Sequence, residues 1–290
     1  MTNPISHLDL GTARITRVEE MAGPAFRLST LFPDWDETVF HVHEDWLVPH
    51  YVNPEKMTAL LNMHSWILQF NGQTILVDTC IGNDKDRMPA EKWHQVQSPY
   101  LERLAQAGFE PEDIDMVMCT HLHVDHVGWN TMKVGDTWQP TFPNARYLLG
   151  REEYHYWSKS ESEDQISVIE DSVTPIFEAG LVDLVETDHR ISDEVQLIPT
   201  AGHTPGHVSV AIESKGEKAL ITGDMMHHPC QIARPHWAVS FDEDQEAAMR
   251  CRQNVLKELA DTPTLVIGTH FATPTAGKVV SDEDSYRFDF

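Results

Sequence analysis

No stretch of this 290-residue chain approaches the roughly 20 consecutive apolar residues that a membrane-spanning helix needs, so the sequence excludes such a span. The opening residues Met1-Thr2-Asn3-Pro4-Ile5-Ser6-His7 lack the basic and apolar regions of a signal peptide, and the reading is a cytoplasmic protein. Cysteine is sparse. Cys80, Cys119, Cys230 and Cys251 form no C-x-x-C pair and no framework spacing, which leaves free thiols in a reducing compartment as the simpler expectation. Basic residues are outnumbered, 21 Lys and Arg against 46 Asp and Glu. The resulting net charge of −25 would repel nucleic-acid phosphates and anionic membrane surfaces, so neither is expected as a partner. The G-x-S-x-G nucleophile elbow and the H-E-x-x-H helix are both missing. Near Gly277-Lys278 a phosphate loop lacks its first glycine and its closing hydroxyl residue.

What the chain does have is a dense run of metal-binding side chains, His121-Leu122-His123-Val124-Asp125-His126. Imidazole nitrogens and carboxylate oxygens are the donors that zinc and its transition-series neighbours prefer. The run follows the apolar stretch Asp115-Met116-Val117-Met118-Cys119, a candidate buried strand, which places the ligands on the loop at its end. A loop on a rigid scaffold, open on one side, suits a catalytic site better than a structural one.

The periodicity elsewhere predicts a strand-rich protein in two halves, each with helices. Residues 60–70 and 74–78 read as a hairpin turning at Asn71-Gly72. Helices are predicted over 99–107, 151–159, 165–179 and 242–261, and strands over 115–119, 145–149, 181–185, 195–199, 208–212, 219–222 and, last, 264–267. Residues 31–51 are rich in aromatics and histidines and read as irregular: a lid over a substrate pocket, a dimer contact, or simple core packing. The expected division is an amino-terminal extension, 1–58, and a catalytic domain, 59–290.

In the second half the ends of predicted strands again carry ligand-type residues. Gly202-His203-Thr204-Pro205-Gly206-His207, Gly223-Asp224 and Gly268-Thr269-His270 each follow an apolar stretch by one to four positions. At this point the chain resembles the metallo-β-lactamase superfamily, whose H-x-H-x-D-H run is followed by separate histidine, aspartate and histidine ligands. The resemblance implies an α+β fold, a four-layer αββα sandwich of two mixed β-sheets flanked by helices. It also implies two divalent metal ions, Zn2+ first, with Mn2+ or Fe2+ as alternatives. His121, His123 and His203 would hold one ion, Asp125, His126 and His270 the other, with Asp224 bridging. Asp78 matches the strand-end aspartate that supports the ligands, although Cys80 stands where the family normally has glycine. His207 is expected to support its loop by hydrogen bonding.

Such a centre implies a hydrolase in which two ions lower the pKa of a shared water and polarise the substrate's carbonyl. Asp125 would orient the water or shuttle a proton. The segment from Gly223 to Asp242, together with His270-Phe271, is similar to the branch that holds methyl parathion hydrolase-like enzymes and lactonases. Hydrolysis of a lactone or ester is therefore the first expectation, with an organophosphate triester or a β-lactam amide as alternatives. N-acyl homoserine lactonases carry a tyrosine three residues after the bridging aspartate. His227 stands there in this chain and is taken as a catalytic proton donor. Trp129, His64, His228 and Trp237 are the expected substrate contacts, and the aromatics suggest an apolar or aromatic small molecule. A mononuclear iron oxidoreductase like the persulfide dioxygenases shares the scaffold and is the reading from another class. A homodimer is expected.

Overall fold

The computed structural model describes residues 5–290, apart from the side chains of residues 24, 25 and 39. Of the leader reading at residues 1–7, positions 1–4 lie outside the described residues. The chain divides into two compact units, one built from residues up to 21 and 63–187, the other from 22–62 and 188–290.

In the first unit the sheet begins with antiparallel hairpins and ends in parallel strands. Asn71 and Gly72 both have positive φ, 48° and 78°, so the predicted turn joins Thr58–Phe70 to Gln73–Val77 with Phe70 paired to Gln73. Gln73–Val77, Met116–Met118, Arg146–Gly150 and Val182–Val185 then pair side by side in parallel. Inner parallel strands are covered on both faces, so Ile75-Leu76-Val77, Met116-Val117-Met118 and Tyr147-Leu148-Leu149 read as short apolar runs, whereas Val182–Val185 at the edge alternates, with Asp183 exposed. Helices Tyr100–Gln106 and Arg151–Trp157 contribute Tyr100, Leu104 and Trp157 to one core with Ile67, Leu76, Val117, Tyr147 and Leu149 of the strands. The predicted helix over 165–179 is Glu163–Val168, a π turn Ile169–Val173 and Thr174–Glu178, ending before Gly180 at φ 70°. The carboxyl ends of Gln73–Val77 and Met116–Met118 lead directly into Asp78 and the histidine run. Ligand groups concentrate at that edge of an open α/β sheet.

The second unit carries a six-stranded sheet running Val195–Pro199, Val208–Ser214, Glu217–Ile221, Leu265–Ile267, Ala276–Asp282 and Ser285–Asp289. All neighbours are antiparallel except Glu217–Ile221 and Leu265–Ile267. Leu265–Ile267 is thus not the last strand. The final hairpin escaped the sequence reading because its inward residues are few, Val279 and Phe288, among polar neighbours. Asp244 caps helix Gln245–Leu259 by accepting from the amide of Ala247 at 2.9 Å.

Residues 31–51 are the clearest correction. The segment is not irregular: it holds the helix Glu37–Leu47, capped by Asp36, whose carboxylate accepts from Thr38 N at 2.9 Å. Its buried positions are Phe40, His43, Trp46 and Leu47, a helical stripe that disappears when His43 is counted as polar. Phe32, Phe40, Trp46 and Tyr51 belong to the core of the second unit with Leu28, Ile232 and Phe288. Core packing, rather than a lid, accounts for these aromatics. Among the described large hydrophobics of this helix only Val42 is exposed.

Candidate metal centre

Asp78 organises the first half of the candidate site. It follows Val77 with φ 56°, and Cys80 follows at φ 51°, so the chain takes the left-handed turn with cysteine in the glycine position. The turn survives because its backbone is laced to the histidine loop: Thr79 N donates to His126 O, Gly128 N to Cys80 O and Trp129 N to Thr79 O, each at 2.8 Å. The two loops touch closely enough that a Cβ on Gly128 would stand 1.8 Å from Ile81 O, which only glycine avoids.

The Asp78 carboxylate accepts from Thr120 N at 2.7 Å, Thr120 Oγ1 at 2.9 Å and His126 Nδ1 at 2.9 Å. Thr120 Oγ1 in turn lies 3.1 Å from His121 Nδ1. With Nδ1 as the protonated nitrogen of both rings, Nε2 carries the lone pair that a metal takes. His121 stands with its ring centroid 3.9 Å from that of His126 and 4.7 Å from that of His123, and Asp125 Oδ1 is 3.7 Å from His126 Nε2. His121 and His126 are buried; His123 is half-buried.

Two further carboxylates brace this half. Glu20 accepts from Ile81 N, Gly82 N, Ser98 Oγ and Trp129 Nε1. Burial pushes the Glu20 carboxyl up, and these four donors work against that shift. Glu153 accepts from Leu122 N at 3.1 Å and Trp157 Nε1 at 2.6 Å. Neither was visible beforehand: each is one acid among 46, with no motif around it.

The second half is centred on Asp224, at the end of Glu217–Ile221. Its Oδ1 lies 3.1 Å from His270 Nε2; its Oδ2 lies 3.0 Å from His227 Nε2 and 3.5 Å from His203 Nε2. The donor atoms of His203, Asp224 and His227 all fall within 4.8 Å of one another. His203 Nδ1 donates to Asp242 Oδ1 at 2.9 Å, and His270 Nδ1 to the carbonyl of Asn62 at 3.1 Å. Burial pushes the Asp242 carboxyl up, opposed by the charges of His227 and Arg252. His207 spans the loop: Nε2 accepts from Asp224 N at 2.8 Å and Nδ1 lies 2.8 Å from Thr200 Oγ1. A Cβ on Gly223 would lie 2.6 Å from that Nε2, so glycine precedes the aspartate for lack of room. Arg252, unnoticed in the sequence, donates to the carbonyls of Met225, Pro235 and Trp237 and pins the segment that follows Asp224.

The donors fit divalent cations. His126, His203, His270 and His121 each place Nδ1 on an oxygen of Asp78, Asp242, Asn62 or Thr120 and so present Nε2, the arrangement that orients metal-binding imidazoles. His227 differs. Gln231 Oε1 holds its backbone N–H at 2.8 Å, but its Nδ1 has no hydrogen-bond partner among the described residues, and its ring lies 5.1 Å from Phe241, an aromatic 38% exposed.

The expected substrate contacts are placed elsewhere. Trp129 is buried, donates to Glu20 and stacks on Tyr100 at 5.5 Å; Trp237 is buried against Phe32 and Trp35. His228 is fully buried, with Nε2 2.7 Å from Tyr51 O and Nδ1 accepting from Cys230 N, and burial pushes its pKa down to about 4. All three side chains are buried, and Trp129 and His228 spend their ring nitrogens on protein groups. His64 is buried on Thr58–Phe70 with its ring 5.0 Å from Trp66.

Comparison with known proteins agrees with this geometry. Residues 60–270 match the model of the metallo-beta-lactamase superfamily. An N-acyl homoserine lactonase of Bacillus sp is 29% identical over 158 residues, 53% of this chain and 56% of that protein. The N-acyl homoserine lactonase AiiB of Agrobacterium fabrum is 32% identical over 107 residues, 30% of this chain and 38% of that protein. The chain thus spans about half the length, or less, of these curated relatives. Among solved structures, hydrolase AbOPH of the beta lactamase superfamily superimposes with TM-score 0.81 at 24% identity, covering 100% of this chain and 98% of that one. AidC, a dizinc quorum-quenching lactonase, superimposes with TM-score 0.81 at 20% identity, covering 98% and 96%. The two mixed sheets and their helices have the same fold, and the chain belongs to the metallo-β-lactamase superfamily.

Proposed function

We propose that the chain is a dinuclear metal-dependent hydrolase that opens lactones or cleaves related esters. The observation that carries this reading is the bridging posture of Asp224, one oxygen toward His270 and the other toward His203. In this reading His121, His123 and His203 hold one ion and Asp125, His126 and His270 the second, with Asp224 shared. Support comes from the superfamily match, which runs through all seven residues, and from relatives described as N-acyl homoserine lactonases. Zinc suits the nitrogen-rich donor set, and AidC is described as a dizinc enzyme. When bound, the two ions lower the pKa of a water toward neutrality and polarise the carbonyl.

The protein's own groups do the rest. Asp125 accepts a hydrogen bond from the attacking water, orients it and takes the proton it gives up, which passes to solvent, from which His227 recovers the proton it donates. As the carbonyl carbon gains the water oxygen, the bond to the ring or leaving oxygen breaks and that oxygen needs a proton. His227 supplies it: its ring is within reach of Asp224, and no hydrogen bond on Nδ1 anchors it as the other imidazoles are anchored. Phe241 forms the exposed wall beside it.

The test is a screen of the zinc- and manganese-loaded protein against N-acyl homoserine lactones, simple lactones, aryl esters, phosphotriesters and β-lactams. Turnover of lactones above the other classes is expected. Activity on phosphotriesters or β-lactams alone would replace this substrate assignment, and a single bound iron with no hydrolysis would overturn the reaction class.

A further inference from the structure

We propose that two buried carboxylates outside the ligand set are positioning residues for different ions: Glu20 for the ion of Asp125, His126 and His270, and Glu153 for the ion of His121, His123 and His203. The proposal rests on the two-ion reading above and deepens it by naming what sets the affinity of each position. Both groups belong to the first unit, and both are nearly inaccessible, Glu20 at 2% and Glu153 at 1% exposed. A carboxylate so far from water costs free energy unless protein donors meet it, so its donors mark the segments it fixes.

Glu20, on strand Ala13–Arg27, gathers donors from both sides of His126. Its Oε2 accepts from Ile81 N at 2.8 Å, and its Oε1 from Gly82 N at 3.2 Å, Ser98 Oγ at 2.9 Å and Trp129 Nε1 at 2.6 Å. Ile81 and Gly82 follow Asp78, which accepts from His126 Nδ1, and Trp129 follows His126 itself. A Cβ on Gly82 would stand 2.7 Å from Gly128 O, so the loop that Glu20 holds bears on the backbone just past His126. The carboxylate is fixed from behind, because Arg103 donates to the carbonyls of Glu19 and Glu20 at 2.7 and 2.9 Å. Asp78 also reaches Thr120, but Thr120 follows Met116–Met118, and the pairing of that strand with Gln73–Val77 holds it without Glu20.

Glu153, on helix Arg151–Trp157, acts earlier in the histidine run. Its Oε1 accepts from Leu122 N at 3.1 Å, between His121 and His123, and from Trp157 Nε1 at 2.6 Å. Gln165 Nε2 donates to the carbonyl of the same Leu122 at 2.9 Å, so that residue is gripped at both backbone groups. Trp157, aimed by Glu153, lies with its ring 5.1 Å from that of His123. Groups that hold ligands in place contribute about 10–100-fold to metal affinity.

Cobalt(II) loading, followed by native mass spectrometry and by the visible spectrum, separates the two positions. Methionine is close to glutamate in length and accepts hydrogen bonds only weakly. Wild type should bind two ions. In Glu20→Met one position should weaken about 10–100-fold while the other stays within about threefold, and at one equivalent of cobalt the spectrum should match that of His126→Ala. Glu153→Met should show the same split with the spectrum of His123→Ala. Aspartate at either position keeps the charge but withdraws the oxygens by a methylene, and should give the same two patterns. Ser98→Ala and Trp157→Phe each delete a donor and should weaken the same positions about threefold, which covers a methionine variant that fails to fold. Equal weakening of both positions, or unchanged binding, in the variants of either carboxylate would overturn the proposal, while two ions in the wild type would keep the two-ion reading. A single ion in the wild type would overturn both. Two ions, split as described, in a protein that hydrolyses no lactone or ester would uphold the proposal and remove the hydrolase reading.

Discussion

Around the histidine run, main-chain hydrogen bonds tie the Asp78–Cys80 turn to the loop, and the carboxylates of Asp78, Glu20 and Glu153 brace it. Around Asp224 the fixing is by side chains, Asp242 on His203, His207 on the Asp224 amide and Arg252 on three carbonyls, and one imidazole, His227, keeps an unanchored nitrogen. The difference separates two jobs. Ligands gain affinity when their rings cannot turn. A proton donor must present hydrogen to an atom whose position changes during the reaction.

His227→Gln should break the comparison most sharply. We expect kcat to fall by about 10²–10⁴ while bound zinc stays unchanged; loss of zinc along with activity would make His227 a ligand instead. The next effect is on stability in acid. Burial holds His228 down at about 4, whereas the unfolded chain takes up that proton near the ordinary value of 6.5. The unfolded state therefore binds more protons between those values, and stability falls as pH drops from about 6.5 to about 4, by about 3 kcal/mol in total. Denaturant midpoints of the zinc-loaded wild type and His228→Gln should show a shallower acid slope in the variant; parallel slopes would contradict the assignment.

Asp78→Asn and Asp242→Asn compare the halves directly. Each removes the charge that orients a ligand imidazole, and each should weaken zinc binding about 10–100-fold by competition with a chelator. Unchanged affinity in either would show that its half is held by something else. The smallest effect is at Cys80. Cys80→Gly relieves a left-handed residue but frees the unfolded chain and deletes the thiol's 3.3 Å contact with Ser65, so thermal unfolding should report a change within about 1 kcal/mol. Cys80→Val, β-branched at the same φ, should cost about 2 kcal/mol.

What could be read in advance follows from where each residue's partners lie along the chain. His121, His123, Asp125 and His126 are neighbours in sequence, and both the cluster and the strand before it were legible there. The inner parallel strands were legible as apolar runs because they are covered on both faces. Partners that meet only in three dimensions were not: Glu20 reaches Trp129 across 109 positions and Arg252 reaches Met225 across 27. Aromatic residues misled for the same reason. Trp129 and Trp237 lie near candidate ligands in sequence, but their surroundings, Tyr100 with Glu20 and Phe32 with Trp35, come from distant segments that enclose them. The helix Glu37–Leu47 was hidden by histidine, whose ring is buried at His43 and exposed at His41 of the same helix.

The central claim is that both half-sets together hold two ions and that His227 holds neither. Native mass spectrometry during zinc titration of the wild type and His227→Gln tests it most directly. The account predicts two zinc ions per chain in both proteins; a single ion in the wild type, or fewer ions in His227→Gln than in the wild type, would contradict it.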